Sequence, residues 1–327
     1  MAPLVSVILP VYNGGPYLEE AIQCILTQTY KNVELIIIND GSTDNSVQII
    51  DKFSNDARIR VFNQTNQGLA ATLNRGIGLS KGAYIARQDQ DDISDPARLE
   101  KQVSFMETHP DYGMVGTWAS IMVNNTLTTR SHKHPSEPGI LTLDLLFDNP
   151  FVHSSMMIRK TAFDEVGGYS TDKSRQPPED YELWSRIVRK YKVANIPEIL
   201  VVYREVEKSM SRTGPNPFLD HVNQISQENL SWIAGTPFED NRIVALSAFA
   251  RNTCYKNQNS PDIESACHLF NEIIEKLIRK YPEEETVLLD RAGIILSNIR
   301  RNYFLYKYGK FMGRSAILDK ILIRIGK

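Results

Sequence analysis

The chain has 327 residues, of which 42% are hydrophobic and 23% charged, and its formal net charge is −2 at pH 7. This composition is typical of folded globular proteins and excludes intrinsic disorder and collagen-like repeats. A net charge this close to zero provides no overall attraction for nucleic acid. The length fits two domains, or one large α/β domain with an appendage.

The cysteines and the N-terminus indicate a cytoplasmic protein. Cys24, Cys254 and Cys267 form no CxxC pair, so neither a disulfide framework nor a zinc site is predicted. The N-terminal apolar run follows no basic segment and is interrupted by Pro10, unlike a signal peptide. No stretch approaches the roughly 20 apolar residues that span a bilayer.

Residues 5–108 alternate short apolar runs with amphipathic helical patterns. The predicted strands are 5–9, 33–38, 59–62 and 83–87. The predicted helices are 17–26, a segment ending near Phe53, 69–79, and a segment to about Thr108 with Asp95 as N-cap and Pro96 as first helical residue. This alternation predicts βαβ units and a parallel sheet.

Residues 112–203 mix shorter predicted strands and helices, and residues 215–217 mark a predicted boundary. Residues 218–325 show consecutive helical patterns without strand-like alternation. We therefore predict an α/β catalytic domain over residues 1–214. A helical region over residues 215–327 would serve packing, oligomerisation or membrane association.

Polar clusters end three of the predicted strands, at residues 10–14, 39–42 and 88–92. Ligands bind at the carboxyl ends of strands in an open parallel sheet, so a shared site is expected there. An aromatic ring, a carboxylate and a glycine turn suit a nucleoside. The alternative is that each cluster only forms a turn.

Asp89 and Asp91 alternate along an extended segment, which predicts that both carboxylates point the same way and Asp92 the other. Two converging carboxylates repel unless a cation neutralises them, and hard oxygen ligands suit Mg²⁺ or Mn²⁺ bridging a diphosphate. The alternative is a solvated acidic loop that caps the helix near Asp95.

Several runs together resemble the family 2 inverting glycosyltransferases of GT-A fold, over roughly residues 4–212. The runs are VSVILPVYNG, ELIIINDGSTDNS, NQGLAATLNRGIGLSKGAYIARQDQDD, ISDPARLEKQVSFMETHPDYGMVG, FVHSSMMIRKTAFDEVGGY and PEDYELWSRIV. The resemblance implies a nucleotide-diphosphosugar transferase domain with a Rossmann-like α/β sheet. It does not cover the C-terminal helices.

The resemblance also implies roles for individual residues. Pro10, Tyr12 and Asn13 would line the nucleotide pocket, and Asp40 would hydrogen-bond the base, usually uracil, with Ser42 nearby. Asn66, Gly68, Asn74 and Arg75 match the segment flanking the donor. Asp89 and Asp91 match the metal-binding DxD motif, with Asp91 as the direct ligand.

Glu179 and Asp180 begin an amphipathic helix, where two carboxylates can form a plain N-terminal cap. The resemblance instead makes Asp180 the general base of an inverting transfer and Glu179 a supporting acid. It places His153 on the acceptor side, although a structural histidine is equally compatible with the sequence. Trp184 is a second candidate for the acceptor side, although its position in the helix favours a core tryptophan.

One departure concerns the metal site. Many family members carry an Arg-x-His element after the last strand, and Val206 stands where that histidine would be. Glu205, Glu207 or water are the alternatives for that position.

The C-terminal region is basic and rich in aromatic residues. Only Asp319 opposes Arg300, Arg301, Lys307, Lys310, Arg314, Lys320, Arg324 and Lys327. This pattern is typical of membrane-surface binding, here at the inner face of the membrane, or of a helix that packs on the catalytic domain or a second subunit in a homo-oligomer.

The sequence therefore predicts a metal-dependent glycosyltransferase that uses a nucleotide sugar, with UDP as the expected nucleotide. The acceptor would be a hydroxyl of a surface glycan or its lipid-linked precursor. Two alternatives are transfer to a polyprenyl phosphate and a non-catalytic sugar-nucleotide-binding or scaffold protein. Asp89, Asp91 and Asp180 argue against the latter.

Overall fold

The computed structural model of the chain describes residues 2–206, 218–253 and 261–308. Contacts divide the chain into two compact units. The first comprises Met1–Thr142 and Asn149–His221, and the second comprises Leu143–Asp148 and Val222–Lys327. The predicted boundary at residues 214 and 215 lies outside the described residues.

The elements up to residue 205 occur in the following order. They are β1 (Val5–Val11), α1 (Leu18–Leu26), β2 (Val33–Asp40), α2 (Ser46–Asp51), β3 (Ile59–Gln64), α3 (Leu69–Leu79), β4 (Tyr84–Arg87), β5 (Ile93–Ser94), α4 (Arg98–Thr108), β6 (Tyr112–Val123), β7 (Thr126–His132), α5 (Pro138–Asp144), β8 (Met157–Arg159), α6 (Lys160–Val166), α7 (Glu179–Ile187) and β9 (Lys192–Glu205).

Nine strands among the described residues form one mixed sheet in the order β3-β2-β1-β4-β8-β6-β9-β5, with β7 paired to β6. The first four strands of this order are parallel neighbours, whereas β8 runs antiparallel to both β4 and β6. Every residue of β1 and β2 is buried, as expected for central strands covered on both faces. The predicted parallel α/β arrangement of residues 5–87 is thus observed.

Two boundaries differ from the expectation. The fourth helix begins at Arg98, two residues after Pro96, because the Asp95 carboxylate accepts a hydrogen bond from the Ala97 amide and forms a turn before the helix. The second helix ends at Asp51 rather than near Phe53.

Long strands replace the shorter elements expected between residues 112 and 203. β6 and β9 pair in parallel, and the register jumps from Thr117 opposite Ile196 to Trp118 opposite Ile199. Pro197 lies in the unpaired step, which explains why its missing amide hydrogen does not end the strand.

The second unit is helical over its described residues. Its helices are α8 (Phe218–Ala234), α9 (Asn241–Ala250), α10 (Ile263–Lys280) and α11 (Glu285–Tyr308). The segment Leu143–Asp148 belongs to this unit because Ser226 and Asn229 donate to the carbonyls of Leu146 and Leu145, at 2.7 and 2.8 Å. Its amphipathic α10 buries Phe270, Ile273 and Leu277.

Candidate active site

The loops after β1, β2 and β4 meet at the carboxyl edge of the sheet. The Gln90 side chain accepts from the Tyr12 amide at 2.9 Å and donates to the Tyr12 carbonyl at 3.1 Å. Asn13, at φ 51°, donates its amide to Ser42 Oγ and accepts from the Thr43 amide. The three polar clusters are thus joined by direct hydrogen bonds.

Within this edge, the residues expected to hold a nucleotide differ in accessibility. The Tyr12 ring is 50% exposed and offers a face for stacking. Pro10 is buried within β1, opposite Ile38, so it lies below the surface of this edge. Asn66 is exposed, and its backbone amide lies close against Gly41, where a Cβ would come within 2.9 Å.

Asp40 is only 3% exposed and organises the turn after β3. Its carboxylate accepts hydrogen bonds from Gln64 Nε2 and from the backbone amides of Gln67 and Gly68, at 2.7 to 3.0 Å. Gly68 has φ 87°, a conformation that strains residues with a side chain. The carboxylate expected to contact a base therefore holds the turn at residues 64–68 in this structure.

Asn74 and Arg75 are directed away from one another. The Asn74 side chain donates to the carbonyl and accepts from the amide of Tyr169, both at 2.8 Å. A Cβ at Gly168 would lie 2.2 Å from the Asn74 oxygen, so this contact requires a glycine there. Arg75 donates to the Gln64 side chain at 2.7 Å and stacks against Phe62.

Asp89 and Asp91 follow β4, as the sequence predicted. The buried Arg87 guanidinium forms an ion pair with Asp89, and Arg87 Nε is buried without a hydrogen-bond partner. Burial and the adjacent Asp89 charge raise the pKa of Asp91 to about 6. Asp92 points into the interior, where Ser154 Oγ and the Arg204 amide donate to it.

Arg204 secures this acidic segment from β9. Its Nε donates to the Asp91 carbonyl at 2.8 Å, its Nη2 pairs with Glu20 at 2.7 Å, and its guanidinium lies 4.3 Å from the centre of the Tyr17 ring. Sequence reasoning missed this residue, although an arginine beside the missing histidine was a usable signal.

Of the alternatives for the missing histidine, Glu205 lies among the described residues. Glu205 forms a bidentate pair with Arg130, at 2.8 and 3.0 Å. Val206 is the last described residue of this segment, and Glu207 lies outside the described residues.

Glu179 and Asp180 form the first turn of α7. Burial, then the charge of Asp180, raises the pKa of Glu179 to about 7. Burial also raises the pKa of Asp180, whose carboxylate accepts from the Tyr181 amide at 2.7 Å and from Asn149 Nδ2 at 2.8 Å. Asn149 was not recognised from the sequence, where only its Asn-Pro turn pattern marked it.

Electrostatic interactions connect the two acidic groups. The charge of Asp89 raises the pKa of both Glu179 and Asp180, and Arg87 lowers that of Glu179 and Asp91. The buried Arg87 cation therefore pairs with Asp89 and acts on the charges of Asp91 and Glu179. This arrangement suits a site that binds a cationic or metal-bound group and removes a proton.

His153 and Trp184 form an interior cluster with Tyr169. His153 Nε2 lies 2.9 Å from the Tyr169 hydroxyl, and burial holds the pKa of His153 well below its ordinary value. Trp184 has no exposed surface, and its Nε1 is buried without a partner. The expectation that the Trp184 side chain meets the acceptor therefore does not describe this structure, in which it lies in the core beneath the site.

A metal cage made by protein side chains alone is not observed. Across the described parts of the chain, no three His, Cys, Asp or Glu side chains converge as metal ligands. In the same parts of the chain, every helix is too short or too polar to span a bilayer.

Comparison with known proteins identifies relatives of this chain. The sequence pattern of glycosyl transferase family 2 matches residues 6–167. EpsE of Bacillus subtilis, named as a glycosyltransferase, is 39% identical over 232 residues, covering 69% of this chain and 81% of that protein. A Haemophilus influenzae glycosyltransferase is 34% identical over 240 residues, covering 70% and 74%.

Solved structures show the same fold at low sequence identity. S. aureus TarS 1–349 in complex with UDP-GlcNAc superimposes with a TM-score of 0.60 and 16% identity, covering 94% of this chain and 92% of that one. The mannosyltransferase PcManGT from Pyrobaculum calidifontis, in complex with GDP-Man and Mn²⁺, gives 0.52 and 15%, covering 100% and 80%. The predicted GT-A fold with a helical C-terminal region is confirmed, and the chain belongs to glycosyl transferase family 2.

Proposed function

We propose that this glycosyltransferase moves a sugar, with inversion, from a UDP-sugar to a hydroxyl of a glycan or lipid-linked glycan. The observation that carries the proposal is the electrostatic coupling of Asp89 with Asp91, Glu179 and Asp180, with Arg87 paired to Asp89. This coupling supports an acidic donor site close to a carboxylate that can act as a base.

The nucleotide assignment rests on the carboxyl edge of the sheet and on the solved relatives. Tyr12 offers an exposed ring beside the Gln90 segment. The TarS structures contain UDP-GlcNAc or UDP, and PcManGT contains GDP-Man. These ligands support a nucleotide sugar as donor, and we favour UDP because two of the three are uridine nucleotides.

The carboxylates of Asp89 and Asp91 fit a divalent cation. Burial, and then the charge of Asp89, raises the pKa of Asp91, and a bound cation would favour the ionised carboxylate. Mg²⁺ commonly binds through one or two carboxylates together with substrate phosphates, so two protein ligands suffice. Mg²⁺ or Mn²⁺ would be held chiefly by Asp91 and would neutralise charge on the leaving diphosphate.

Asp180 performs the proton transfer in the proposed reaction. The acceptor oxygen forms a bond to the anomeric carbon while the bond from that carbon to the diphosphate oxygen breaks. Asp180 takes the hydroxyl proton, and the nucleoside diphosphate leaves. Because attack and departure occur on opposite faces, the anomeric configuration inverts. Glu179, protonated below about pH 7, limits the negative charge beside the base.

UDP release tests the donor, and substitution of Asp180 tests the mechanism. Wild-type protein with Mn²⁺ is assayed for nucleotide release from UDP-GlcNAc, UDP-glucose, UDP-galactose and GDP-mannose. We expect Asp180→Asn to bind UDP with unchanged affinity by calorimetry and to lose about 10²–10⁴-fold in turnover. The matched control is Asp51→Asn, which makes the same change at an exposed position of α2. Wild-type turnover in Asp180→Asn would contradict the base assignment.

We also propose that the C-terminal region brings the enzyme to the inner face of the membrane, where a lipid-linked acceptor would be reached. α11 exposes Val287, Leu289 and Ile294 in addition to its basic residues. The basic residues from 309 to 327 that motivated this expectation lie outside the described residues.

A further inference from the structure

Asn149 contacts the carboxylate that we assign as the base. Its Nδ2 donates to Asp180 Oδ2 at 2.8 Å, and its Oδ1 accepts from the Phe151 amide at 3.2 Å. The two ends of the side-chain amide are distinguishable by this pattern. A carboxylate accepts only from the NH₂ group, and a backbone N–H donates only to the oxygen, so the orientation is unambiguous.

The loop that carries Asn149 is firmly held. Pro150 is buried, and its carbonyl accepts from Asn195 Nδ2 at 3.1 Å. Phe151 is 5% exposed and packs close to Gly116, where a Cβ would lie 3.3 Å from the ring. A rigid loop keeps the Asn149 donor in place, which is a requirement for orienting a catalytic group.

The second oxygen of Asp180 has a different donor. Oδ1 accepts from the Tyr181 amide within the first turn of α7, so each oxygen of the carboxylate is fixed by one hydrogen bond. An oxygen of an ionised carboxylate accepts more than one bond, which leaves capacity for an acceptor hydroxyl. The backbone donor cannot be altered by substitution, whereas the Asn149 donor can.

We propose that Asn149 is a positioning residue that orients Asp180 and keeps it ionised for proton removal. The inference rests on the proposed role of Asp180 as general base. Hydrogen bonds from Asn149 and from Tyr181 lower the pKa of Asp180 against the effect of burial. Asn149 itself has no titratable proton and acts only through the Asp180 carboxylate.

Several charged groups also face Asp180 and limit the interpretation of a pH profile. Glu179 neighbours it on α7, Asp89 raises its pKa from the segment after β4, and Tyr169 interacts with it from the loop after α6. None of these groups is changed by substituting Asn149. A shift of the acid limb in such a variant therefore reports the lost donor.

The experiment compares Asn149→Ala and Asn149→Asp with the wild-type full-length chain. We expect the acid limb of kcat/KM to move upward by about one pH unit in Asn149→Ala, and kcat to fall about 10- to 100-fold near pH 7. The affinity for UDP, measured by calorimetry, stays unchanged. Asn149→Asp, which places a second carboxylate against Asp180, shows the larger loss.

Asn195→Ala is the matched control, because the Asn195 side chain holds the same loop by donating to the carbonyls of Pro135 and Pro150 rather than to Asp180. It is expected to lower Tm and to leave the acid limb at the wild-type position. Equal shifts in Asn149→Ala and Asn195→Ala would reduce Asn149 to a structural role and overturn the inference.

A measurement independent of turnover separates this inference from the proposed function. The Asp180 carboxyl is titrated by ¹³C NMR, with assignment from Asp180→Asn. A raised pKa of Asp180 in Asn149→Ala supports the inference, and an unchanged one overturns it, whatever the activity. Failure of the wild-type chain to release UDP or GDP from any donor counts against the proposed function instead.

Discussion

At the scale of single residues, the site depends on how one buried cation balances several carboxylates. Arg87 is 3% exposed and pairs with Asp89, while its charge also lowers the pKa of Asp91 and Glu179. An unpaired charge in such a position is costly, so the cation and the carboxylates stabilise one another. The pair also holds Asp89 from the protein side, which leaves Asp91 as the freer ligand for a cation.

Asp40 shows that residue type and position do not determine a role by themselves. Its carboxylate accepts from the amides of Gln67 and Gly68 and is almost fully buried. Sequence patterns identify an acid at the end of β2, but they do not reveal that a loop 24 to 28 residues later supplies its donors. Any contact with a nucleotide base is added to this structural role.

Glu179 should make the stability of the protein depend on pH. Folding raises its pKa from 4.5 to about 7, so the folded state binds more protons than the unfolded state between these values. Stability due to this group is therefore complete below the lower value and decreases as pH rises through the higher one. We expect Glu179→Gln to raise Tm near pH 8 and to change it little near pH 5.

Thermal unfolding of both proteins at the two pH values measures this effect. Glu165→Gln is the control, since Glu165 lies on α6 with half of its side chain exposed. An equal Tm difference at both pH values would show that the protonation of Glu179 is not involved.

At the scale of elements, sequence patterns identified the strands whose burial is visible in their own residues. β1, β2 and β4 could be predicted because buried parallel strands are continuous apolar runs. The length of β9 could not, because a bulge at Pro197 accommodates a residue that normally ends a strand. The motif residues Asp89, Asp91, Glu179 and Asp180 were located correctly at element ends.

The supporting residues of the site were not predictable in the same way. Asn149 and Arg204 act through hydrogen bonds to groups far apart in sequence: Asn149 lies 31 residues from its partner Asp180, and Arg204 lies 113 residues from Asp91. Nothing in the local pattern around these residues specifies such a partner. Only the topology, which brings β4, β9 and α7 together at one edge, creates these contacts.

The end of β9 holds the segment that contains Asp91 through Arg204, which provides a prediction at this scale. Lysine retains the charge but lacks the planar donors that reach the Asp91 carbonyl and Glu20 together. We expect Arg204→Lys to destabilise the first unit by about 1–3 kcal/mol and to weaken binding of UDP in the presence of Mn²⁺. Thermal unfolding and calorimetry measure the two effects.

Arg130→Lys provides the control, because Arg130 on β7 contacts the same end of β9 through Glu205. Arg130 pairs with Glu205 at the surface, with 54% of its side chain exposed. Exposed ion pairs contribute little, so neither stability nor UDP binding should change measurably. If both variants behaved alike, the buried contacts of Arg204 would not hold the Asp91 segment.

At the scale of the whole molecule, the net charge of −2 conceals a separation of charge along the chain. The site contains Asp89, Asp91, Glu179 and Asp180, whereas residues 300–327 contain eight basic side chains and one acid. The described part of this basic region ends at Tyr308. We propose that the basic side chains of this region contact anionic lipid, as an enzyme with a lipid-linked acceptor would require.

Binding to vesicles tests that expectation with the full-length chain. We expect sedimentation with vesicles containing phosphatidylglycerol, weaker binding to phosphatidylcholine vesicles, and release as salt rises from about 0.1 M to about 0.5 M, because surface charges are screened. The double variant Arg301→Glu and Lys307→Glu should sediment less.

The control pair, Lys81→Glu and Lys173→Glu, makes the same change of net charge in the first unit and should bind like the wild type. Equal loss in both pairs would attribute binding to net charge alone, and equal retention would exclude the end of α11 as the contact.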